Sequence, residues 1–334
     1  MGGDEAPSHI VDGALAASRH FDLGVTLVGP ADQLERELSR HAGVDRERVR
    51  IVHADSVVEM TEAPTSALRR KRNASIRIAA DAVARGDAAA LFSAGHTGAT
   101  VMAAYTAFGM LPGVDRPALA ATIPTRRNPA VLLDVGASVE CRPQHLLQFG
   151  VMGSLYARVA LGIETPRVGL LSIGEEATKG NELTREAHQL LKASSLCFIG
   201  NVEARDLYSG AADVIVSDGF TGNIALKVSE GLVEVIEDLL REELSSTVTT
   251  RVGSLLTSRA MRHFRKRVDY SEYGGAPLLG PAGIAIVGHG RSSAKAVRNA
   301  VAMAYRFVEN QFIERLAREI AAVSIQARGS GVPH

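Results

Sequence analysis

Tryptophan is absent from this 334-residue sequence, and cysteine occurs only twice, at Cys141 and Cys197. Two cysteines so far apart in sequence exclude a disulfide framework and a cysteine-based zinc cluster, and they suit a reducing cytosol. Neither sign of charge is in excess, because 37 Lys and Arg residues balance 37 Asp and Glu residues. A dedicated nucleic-acid-binding domain needs a cationic surplus to neutralise phosphates, so this composition argues against that class.

Long apolar runs are also lacking. Residues 88–114 contain no Asp, Glu, Lys or Arg, but Ser93, His96 and Thr97 interrupt them. The apolar remainder, about 10 to 14 residues, is too short for a membrane span and is typical of a buried helix. No signal peptide, internal repeat or low-complexity tract is recognisable, and we expect a soluble protein. Residues 328–334, which are rich in Gly, Ser and Pro, predict a disordered tail.

The sequence contains instead an alternation of short β-branched runs and longer helical patterns. This rhythm predicts an α/β fold with a mostly parallel sheet, which we interpret as one domain over residues 1–327. Ligands of open parallel sheets bind at the carboxyl ends of the strands, where loops meet helix N-termini. The predicted strands are residues 24–29, 49–52, 89–92, 130–134, 168–173, 196–199 and 214–217, and the predicted helices are 32–41, 69–85, those beginning at 98 and 181, and 224–240.

Four loops after predicted strands combine glycine with small polar residues, at 93–99, 134–138, 174–181 and 217–223. Glycine lets backbone N–H groups turn toward an anion, and the positive end of the following helix adds to the attraction. Each loop alone is explained as a tight bend, but four in one chain favour an anionic ligand such as phosphate. Neither a dinucleotide-binding glycine motif nor a Walker loop is present.

A basic amphipathic stretch occupies residues 244–270, where apolar residues recur at helical spacing and no acid precedes Asp269. Such a stretch binds an anionic membrane or an acidic protein, or it simply covers the core as a solvated helix. A second basic cluster at residues 69–72 suits an acidic protein partner. The residues of the stretch expected to contact membrane or carrier protein are Leu255, Leu256, Arg259, Arg262, Phe264 and Arg265.

A series of motifs follows a fixed order along nearly the whole chain. They are Met1-Gly2-Gly3-Asp4, Ser93-Ala94-Gly95 with Thr97-Gly98-Ala99, Leu133-Asp134-Val135-Gly136-Ala137, Ile173-Gly174-Glu175-Glu176 with Lys179-Gly180, Ile199-Gly200-Asn201-Val202-Glu203, Asp218-Gly219-Phe220-Thr221-Gly222-Asn223 with Leu226-Lys227 and Glu230-Gly231, Gly274-Gly275-Ala276-Pro277-Leu278-Leu279-Gly280, and His289-Gly290 with Ser292-Ser293. In this order they resemble the phosphate acyltransferases of bacterial phospholipid synthesis, which make acyl-phosphate from acyl-[acyl-carrier-protein].

The resemblance implies a three-layer α/β/α fold like that of phosphotransacetylase and isocitrate dehydrogenase. It implies reversible transfer of a long-chain fatty acyl group from acyl carrier protein to inorganic phosphate, which supplies glycerol-3-phosphate acylation, with no cofactor and no metal. The implied partners are acyl carrier protein, inorganic phosphate, a second copy in a homodimer, a downstream membrane glycerol-3-phosphate acyltransferase and the membrane surface, so that the protein is cytoplasmic and peripherally membrane-associated. The alternatives are a short-chain phosphotransacetylase that uses acyl-CoA and a non-catalytic membrane-associated scaffold.

Phosphate is already anionic at neutral pH, so its attack on a thioester needs positioning and charge stabilisation more than a strong base. We therefore expect a direct displacement in which Lys179 and Lys227 supply positive charge while Asn223 and Asn201 donate to the thioester oxygen. The simpler structural roles are a surface cation for Lys227, capping for Asp134 and Asp218, and a structural histidine at His289. The residues expected to bind phosphate or substrate are Ser93, Gly95, His96, Thr97, Gly98, Gly174, Asp218, Gly219, Thr221, Gly222, Lys227 and His289.

The sequence departs from the family at its start and in two loops. In the family the Met-Gly-Gly-Asp motif follows a first β-strand, whereas here it opens the sequence. We therefore expect the sheet to lack that strand and to leave edge groups that must be satisfied in another way. His96 and Ser138 stand where asparagine is usual, and both side chains keep hydrogen-bonding capacity.

Overall fold

The computed structural model describes residues 1–247, 249–250, 253, 256–259, 261, 264 and 273–329. The first part of the chain forms a small βαβ unit with a preceding helix. Its elements are α1 (Ser8–His20), β1 (Val25–Gly29), α2 (Ala31–Leu38) and β2 (Val49–His53). These elements enclose a hydrophobic cluster of their own, because apolar residues of α1 and α2 recur at helical spacing and face β1. The buried members of this cluster are Val11, Ala14, Leu15, Leu27, Leu34, Leu38 and Val49.

The rest of the described chain continues the alternation of helices and strands. Its elements are α3 (Pro64–Arg70), α4 (Ser75–Ala84), β3 (Ala90–Ser93), α5 (Thr97–Phe108), β4 (Ala118–Leu119), β5 (Ala121–Ile123), β6 (Ala130–Leu133), α6 (Pro143–Leu161), β7 (Arg167–Leu171), α7 (Glu182–Ala193), β8 (Cys197–Val202), a short 3-10 helix (Ala204–Tyr208), β9 (Val214–Val216), α8 (Gly219–Ser245), β10 (Ala276–Leu279), β11 (Ile284–Val287), α9 (Ala294–Glu309) and α10 (Phe312–Gly329).

The strands form three sheets within the described residues. Strands β1 and β2 pair alone, four strands follow the order β3-β11-β10-β4, and five follow the order β5-β6-β9-β7-β8. Five of the eight strand pairs are parallel, while β5–β6, β4–β10 and β10–β11 are antiparallel. Helix α6 is buried from His145 to Ala157 and forms the centre of the largest hydrophobic core. The predicted α/β fold with mostly parallel strands is therefore confirmed.

A gap separates β1 from β3, although helix α4 packs against both strands. The two strands line opposite sides of a cavity of about 130 Å³, with residues 26–28 on one side and 90–93 on the other. Met1 also lines this cavity, and burial lowers the pKa of its amino group. Within the described residues, β1 and β3 therefore each have one edge without a strand partner beside this cavity.

One predicted helix is divided and several elements were not predicted. The expected helix 69–85 consists of α3 and α4, because residues 71–74 run beside the chain at 56–57 instead. There the Lys71 ammonium donates to the carbonyl oxygen of Val57 at 2.7 Å, and the N–H of Ser75 donates to Ser56 at 2.9 Å. Helix α6 and the strands β4, β5, β10 and β11 were missed, since α6 is apolar on all sides and these strands are short.

The stretch 244–270 begins at the end of α8, and its described residues after 248 are helical. Leu255, Arg262 and Arg265 lie outside the described residues, whereas Leu256, Arg259 and Phe264 are described and exposed. The disordered tail was predicted from residue 328, but helix α10 runs through Gly329, so that start was wrong; residues 330–334 lie outside the described part. In the described part of the chain, no helix has both the length and the apolar character that crossing a membrane requires.

Candidate active site

A cavity of about 320 Å³ lies beside the N-terminal turns of α5 and α8 and is lined by residues of both larger sheets. Polar side chains surround its mouth, and buried apolar side chains form its floor. The polar lining comprises Asp4, Thr97, Asn223, Lys227, Glu230, Tyr273, His289 and Arg291, and the apolar floor comprises Leu119, Ala121, Val135, Leu226, Ala276, Val287 and Ala296. Such an amphipathic cavity is the usual form of a small-molecule site.

One wall of the cavity is the loop after β6, which a buried carboxylate holds in place. Asp134 Oδ1 accepts the N–H groups of Leu119 at 2.9 Å, Gly136 at 3.0 Å and Ala137 at 2.9 Å, and Oδ2 accepts that of Ser138 at 2.6 Å. Burial raises the pKa of Asp134, although these four donors oppose the shift. The capping role predicted for Asp134 is confirmed, because its carboxylate satisfies the turn.

The N-terminal turn of α8 lies directly against this loop. A Cβ atom on Gly219 would stand 2.5 Å from Asp134 Oδ2, and one on Gly222 would overlap the carbonyl oxygen of Asp134. Only glycine at both positions permits this approach, which brings Asn223 to the cavity. The Asn223 amide lies beside Gly136, since a Cβ atom added to Gly136 would stand 3.7 Å from Asn223 Cγ.

The backbone donors of this turn are already engaged. Asp218 caps α8 by accepting the N–H groups of Phe220 at 3.0 Å and Thr221 at 2.9 Å, and it also accepts the Thr221 hydroxyl at 2.7 Å. Gly219 N–H donates to the carbonyl oxygen of Ser138, and Gly222 N–H to that of Asp218, both at 2.9 Å. The expected phosphate cradle is therefore not available from the backbone of residues 219–222, which frames the site instead.

The N-terminal turn of α5 differs because no side chain caps it. Within the described structure, the N–H groups of Thr97 and Gly98 have no hydrogen-bond acceptor. Gly95 and Thr97 line the cavity, so the Thr97 N–H and the positive end of the helix dipole lie at its mouth. The His96 ring turns away, with Nε2 lying 3.1 Å from the carbonyl oxygen of Glu62. This turn is the better anion site of the two.

Cationic side chains at the mouth are paired with carboxylates of α8. The Lys227 ammonium lies 2.7 Å from Glu230, and the Arg291 guanidinium lies 2.5 Å from Glu234. Burial lowers the pKa of His289, and the charge of Lys227 lowers it further, so the imidazole is neutral at neutral pH. The mouth therefore holds two cations that are fixed in place by carboxylate partners before any anion arrives.

The loop after β7 lies away from the lining of this cavity. Lys179 is exposed, and Gly174 is buried against its side chain, since a Cβ on Gly174 would stand 2.9 Å from Lys179 Cγ. Asn201 is buried, with Nδ2 donating to the carbonyl oxygen of Glu176 at 2.9 Å and Oδ1 lying 2.9 Å from His188 Nδ1. These hydrogen bonds give Asn201 a structural role. The catalytic roles of Asn201 and Lys179 stay predictions.

The cavity thus brings together only some of the residues that the motifs suggested. Gly95, Thr97, Asn223, Lys227 and His289 line it. The Ser93 hydroxyl accepts a hydrogen bond from the N–H of Gly95 at 3.2 Å, and Ser93 lines the cavity between β1 and β3. No residue of the apolar floor was predicted to bind substrate, because small apolar residues give no chemical signal. Strands β4, β5, β10 and β11, which contribute part of the floor, were not predicted.

Among the described residues, one other cluster could offer metal ligands. Asp12, Glu37 and His41 place ligand atoms within 4.8 Å of one another, at α1 and α2 and outside the cavity. His41 lies 3.0 Å from Asp12, and Glu37 accepts a hydrogen bond from Arg40 at 2.8 Å. These ion pairs account for the cluster without a metal.

Comparison with known proteins gives concordant results over most of the chain. A family model described as "Fatty acid synthesis protein" matches residues 1–315. A phosphate acyltransferase from Pelotomaculum thermopropionicum is 49% identical over 333 residues, covering 99% of this chain and 96% of that protein. Another from Nitratidesulfovibrio vulgaris is 51% identical over 323 residues, covering 96% of this chain and 93% of that protein.

A solved structure extends the comparison to the fold. A phosphotransacetylase from Streptococcus pyogenes superposes with a TM-score of 0.63 at 16% identity, covering 91% of this chain and 92% of that one. This likeness confirms the expected phosphotransacetylase-like fold. Given the family match over residues 1–315 and relatives of about half-identical sequence, the chain belongs to the phosphate acyltransferase family.

Proposed function

We propose that this protein transfers a fatty acyl group from a thioester of acyl carrier protein to inorganic phosphate, giving acyl-phosphate for glycerol-3-phosphate acylation in phospholipid synthesis. The observation that carries the proposal is the amphipathic cavity, in which an uncapped helix N-terminus and Lys227 stand beside an apolar floor. The first two suit phosphate, and the floor suits an acyl chain. The name of the relatives points to the same pair of groups.

Phosphate binds at the mouth in this proposal, between the first turn of α5 and Lys227. The N–H groups of Thr97 and Gly98 donate to its oxygens, and the helix dipole favours its charge. The Lys227 ammonium exchanges Glu230 for phosphate, so it never loses a counter-charge. A neutral His289 adds hydrogen bonding without further positive charge.

The chemical step is a direct displacement at the thioester carbonyl. A phosphate oxygen attacks the carbonyl carbon, the new C–O bond forms, and the carbonyl oxygen becomes an oxyanion. Asn223 is exposed at the cavity and, among the described residues, its amide has no hydrogen-bond partner, so it can donate to that oxyanion. The tetrahedral species then collapses, the C–S bond breaks, and the electron pair leaves on the sulfur as a thiolate.

Basic surface supports the carrier protein and the membrane as partners. Arg69, Arg70 and Arg72 are exposed at the end of α3, which packs against α5, so they can steer an acidic carrier toward the mouth.

Leu256 and Phe264 are exposed in the basic stretch and suit the surface of an anionic membrane. The double variant Leu256→Asp with Phe264→Asp should abolish sedimentation with anionic vesicles, and unchanged sedimentation would refute this role.

The long helix α8 supports the proposed homodimer. Only Gly219 and Gly222 of its 27 residues are buried, so most of the helix lacks a packing partner within the described chain. Val228, Leu232, Val235 and Leu239 are all more than half exposed, at 65%, 58%, 56% and 56%. Their 4-3-4 spacing is that of a seam between two helices. A second copy of α8 fits this stripe and would lie beside the cavity.

The dimer is tested by changing the stripe. Leu232→Glu places a charge in the centre of the proposed seam and should convert a dimer into a monomer in light scattering coupled to size exclusion. Glu237→Gln alters the same helix without adding charge and should leave the mass unchanged. A parent that is already monomeric, or a Leu232→Glu variant that remains dimeric, contradicts the α8 interface.

The function is tested by trapping the product. The protein is incubated with palmitoyl-[acyl-carrier-protein] and phosphate, acyl-phosphate is captured as the hydroxamate by hydroxylamine, and acyl-CoA is used in a parallel reaction. Omission of phosphate is the control for direct attack of hydroxylamine on the thioester. Product that depends on carrier and phosphate supports the proposal. Product from acyl-CoA alone favours a phosphotransacetylase, and no product from either donor overturns an acyltransferase function.

A further inference from the structure

Strand register places three side chains in one row on the floor of the cavity. Strand β10 pairs with β11 so that Ala276 lies opposite Val287, and it pairs with β4 so that Leu278 lies opposite Leu119. The N–H of Ala120 donates to the carbonyl oxygen of Pro277 at 3.0 Å, which continues the second register by one step. The next step of this antiparallel register sets Ala121 opposite Ala276.

The row Val287, Ala276, Ala121 therefore crosses three strands with alanine at two consecutive positions. Side chains two apart on a strand share a face, so Leu119 stands on the same face as Ala121. All four line the cavity, and Ala121 and Val287 are nearly buried. The two methyl groups leave the space above this part of the floor open, whereas a larger side chain at either place would extend into it.

We propose that Ala121 and Ala276 determine the length of the acyl chain that the protein accepts. This inference rests on the proposed function. The acyl carbonyl lies near Asn223 at the mouth, and the chain runs inward along the row of small side chains between Val135 and Leu226. Thr122, which follows Ala121 and also lines the cavity, is bonded to the hydroxyl of the fully buried Tyr156 at 2.8 Å, and this contact fixes its side chain.

The inference predicts a loss of activity that grows with chain length. The leucine side chain has three carbons more than that of alanine and would occupy the space of up to three methylenes of a long acyl chain. Each methylene that is no longer buried lowers kcat/KM by about fourfold. We expect Ala121→Leu to reduce kcat/KM for a hexadecanoyl thioester by roughly 60-fold at most and by more than about tenfold. An octanoyl thioester of the same carrier should change by less than about twofold if, as proposed, its chain ends before the row.

The experiment compares octanoyl, dodecanoyl and hexadecanoyl carrier thioesters in the hydroxamate assay. Ala121→Leu and the milder Ala276→Val are measured beside the parent, with Ala193→Leu as the matched control, since Ala193 is exposed at the end of α7. Thermal melting establishes that each variant folds, and Ala276→Val provides the answer if Ala121→Leu does not fold.

The outcomes separate this inference from the function on which it rests. A preference shifted toward shorter chains in the cavity variants, and not in Ala193→Leu, supports it. Equal losses for all chain lengths, or no change, overturn it while the parent's activity upholds the proposed function. A parent inactive with every donor overturns both.

Discussion

The buried carboxylate of Asp134 allows a quantitative prediction, because one side chain fixes the loop after β6 and borders the first turn of α8. Its two oxygens accept four backbone N–H groups, from Leu119, Gly136, Ala137 and Ser138. In Asp134→Asn, a carbonyl oxygen can still accept three of these bonds at the Oδ1 position. The amide NH2 then faces the Ser138 N–H, so two donors oppose each other.

The expected loss follows from these bonds. A hydrogen bond to a charged group contributes about 1.5–3 kcal/mol, and a buried donor left without an acceptor costs about 1–3 kcal/mol. We therefore expect Asp134→Asn to lower the free energy of unfolding by about 3–5 kcal/mol, a large part of the stability of an ordinary protein. Activity should fall as well, because Gly219 and Asn223 lose the wall against which they are placed.

Urea unfolding followed by circular dichroism measures this loss. Asp32→Asn is the matched control, since it removes the same charge from an exposed position in α2 and should change stability by less than about 0.5 kcal/mol. If Asp134→Asn lies within about 1 kcal/mol of the parent, the four bonds do not hold the loop as described and the reasoning is refuted.

Three further predictions address the cations, the imidazole and the thiols. Lys227→Ala should lower kcat/KM by about 100-fold, and Lys179→Ala measures the predicted role of Lys179 in the same assay, where a loss under about threefold contradicts it. Because the pKa of His289 is lowered from 6.5, the folded state binds fewer protons than the unfolded state below that pH. The free energy of unfolding therefore decreases as the pH falls. In urea unfolding, the His289→Gln variant should lose less of this free energy than the parent between pH 7 and 5, and equal losses in the two proteins contradict this. Burial raises the pKa of Cys141 to about 11, so iodoacetamide at pH 8 should modify the exposed Cys197 first, as peptide mass spectrometry would show.

Local sequence patterns were sufficient for the parallel strands. Strands β1 and β9 and helix α5 follow from β-branched runs and from one apolar segment with a clear beginning, and the structure has them close to the expected positions. The break between α3 and α4 could not be predicted, because it depends on hydrogen bonds from Lys71 and Ser75 to residues distant in the sequence.

The candidate site shows the same division. The motifs indicated Gly95, Thr97 and Lys227, which do line the cavity. They left open whether Asp218 would cap its own helix or help to bind an anion, since capping and anion binding require the same residues, and the structure shows capping. The role of Ala121 depends on the register of strands that are too short to recognise in the sequence.

The gap between β1 and β3 has a consequence for how cooperatively the molecule unfolds. The unit of α1, β1, α2 and β2 encloses its own hydrophobic cluster, and no strand ladder joins it to the other sheets within the described residues. Packing of α1 against α9 and of α4 against β1, rather than a strand ladder, joins this unit to the rest, so its amides should exchange with solvent deuterium at a lower free energy than those of β6 and β9. A strand that paired with both β1 and β3 would join the two regions, and their amides would then exchange as one cooperative unit.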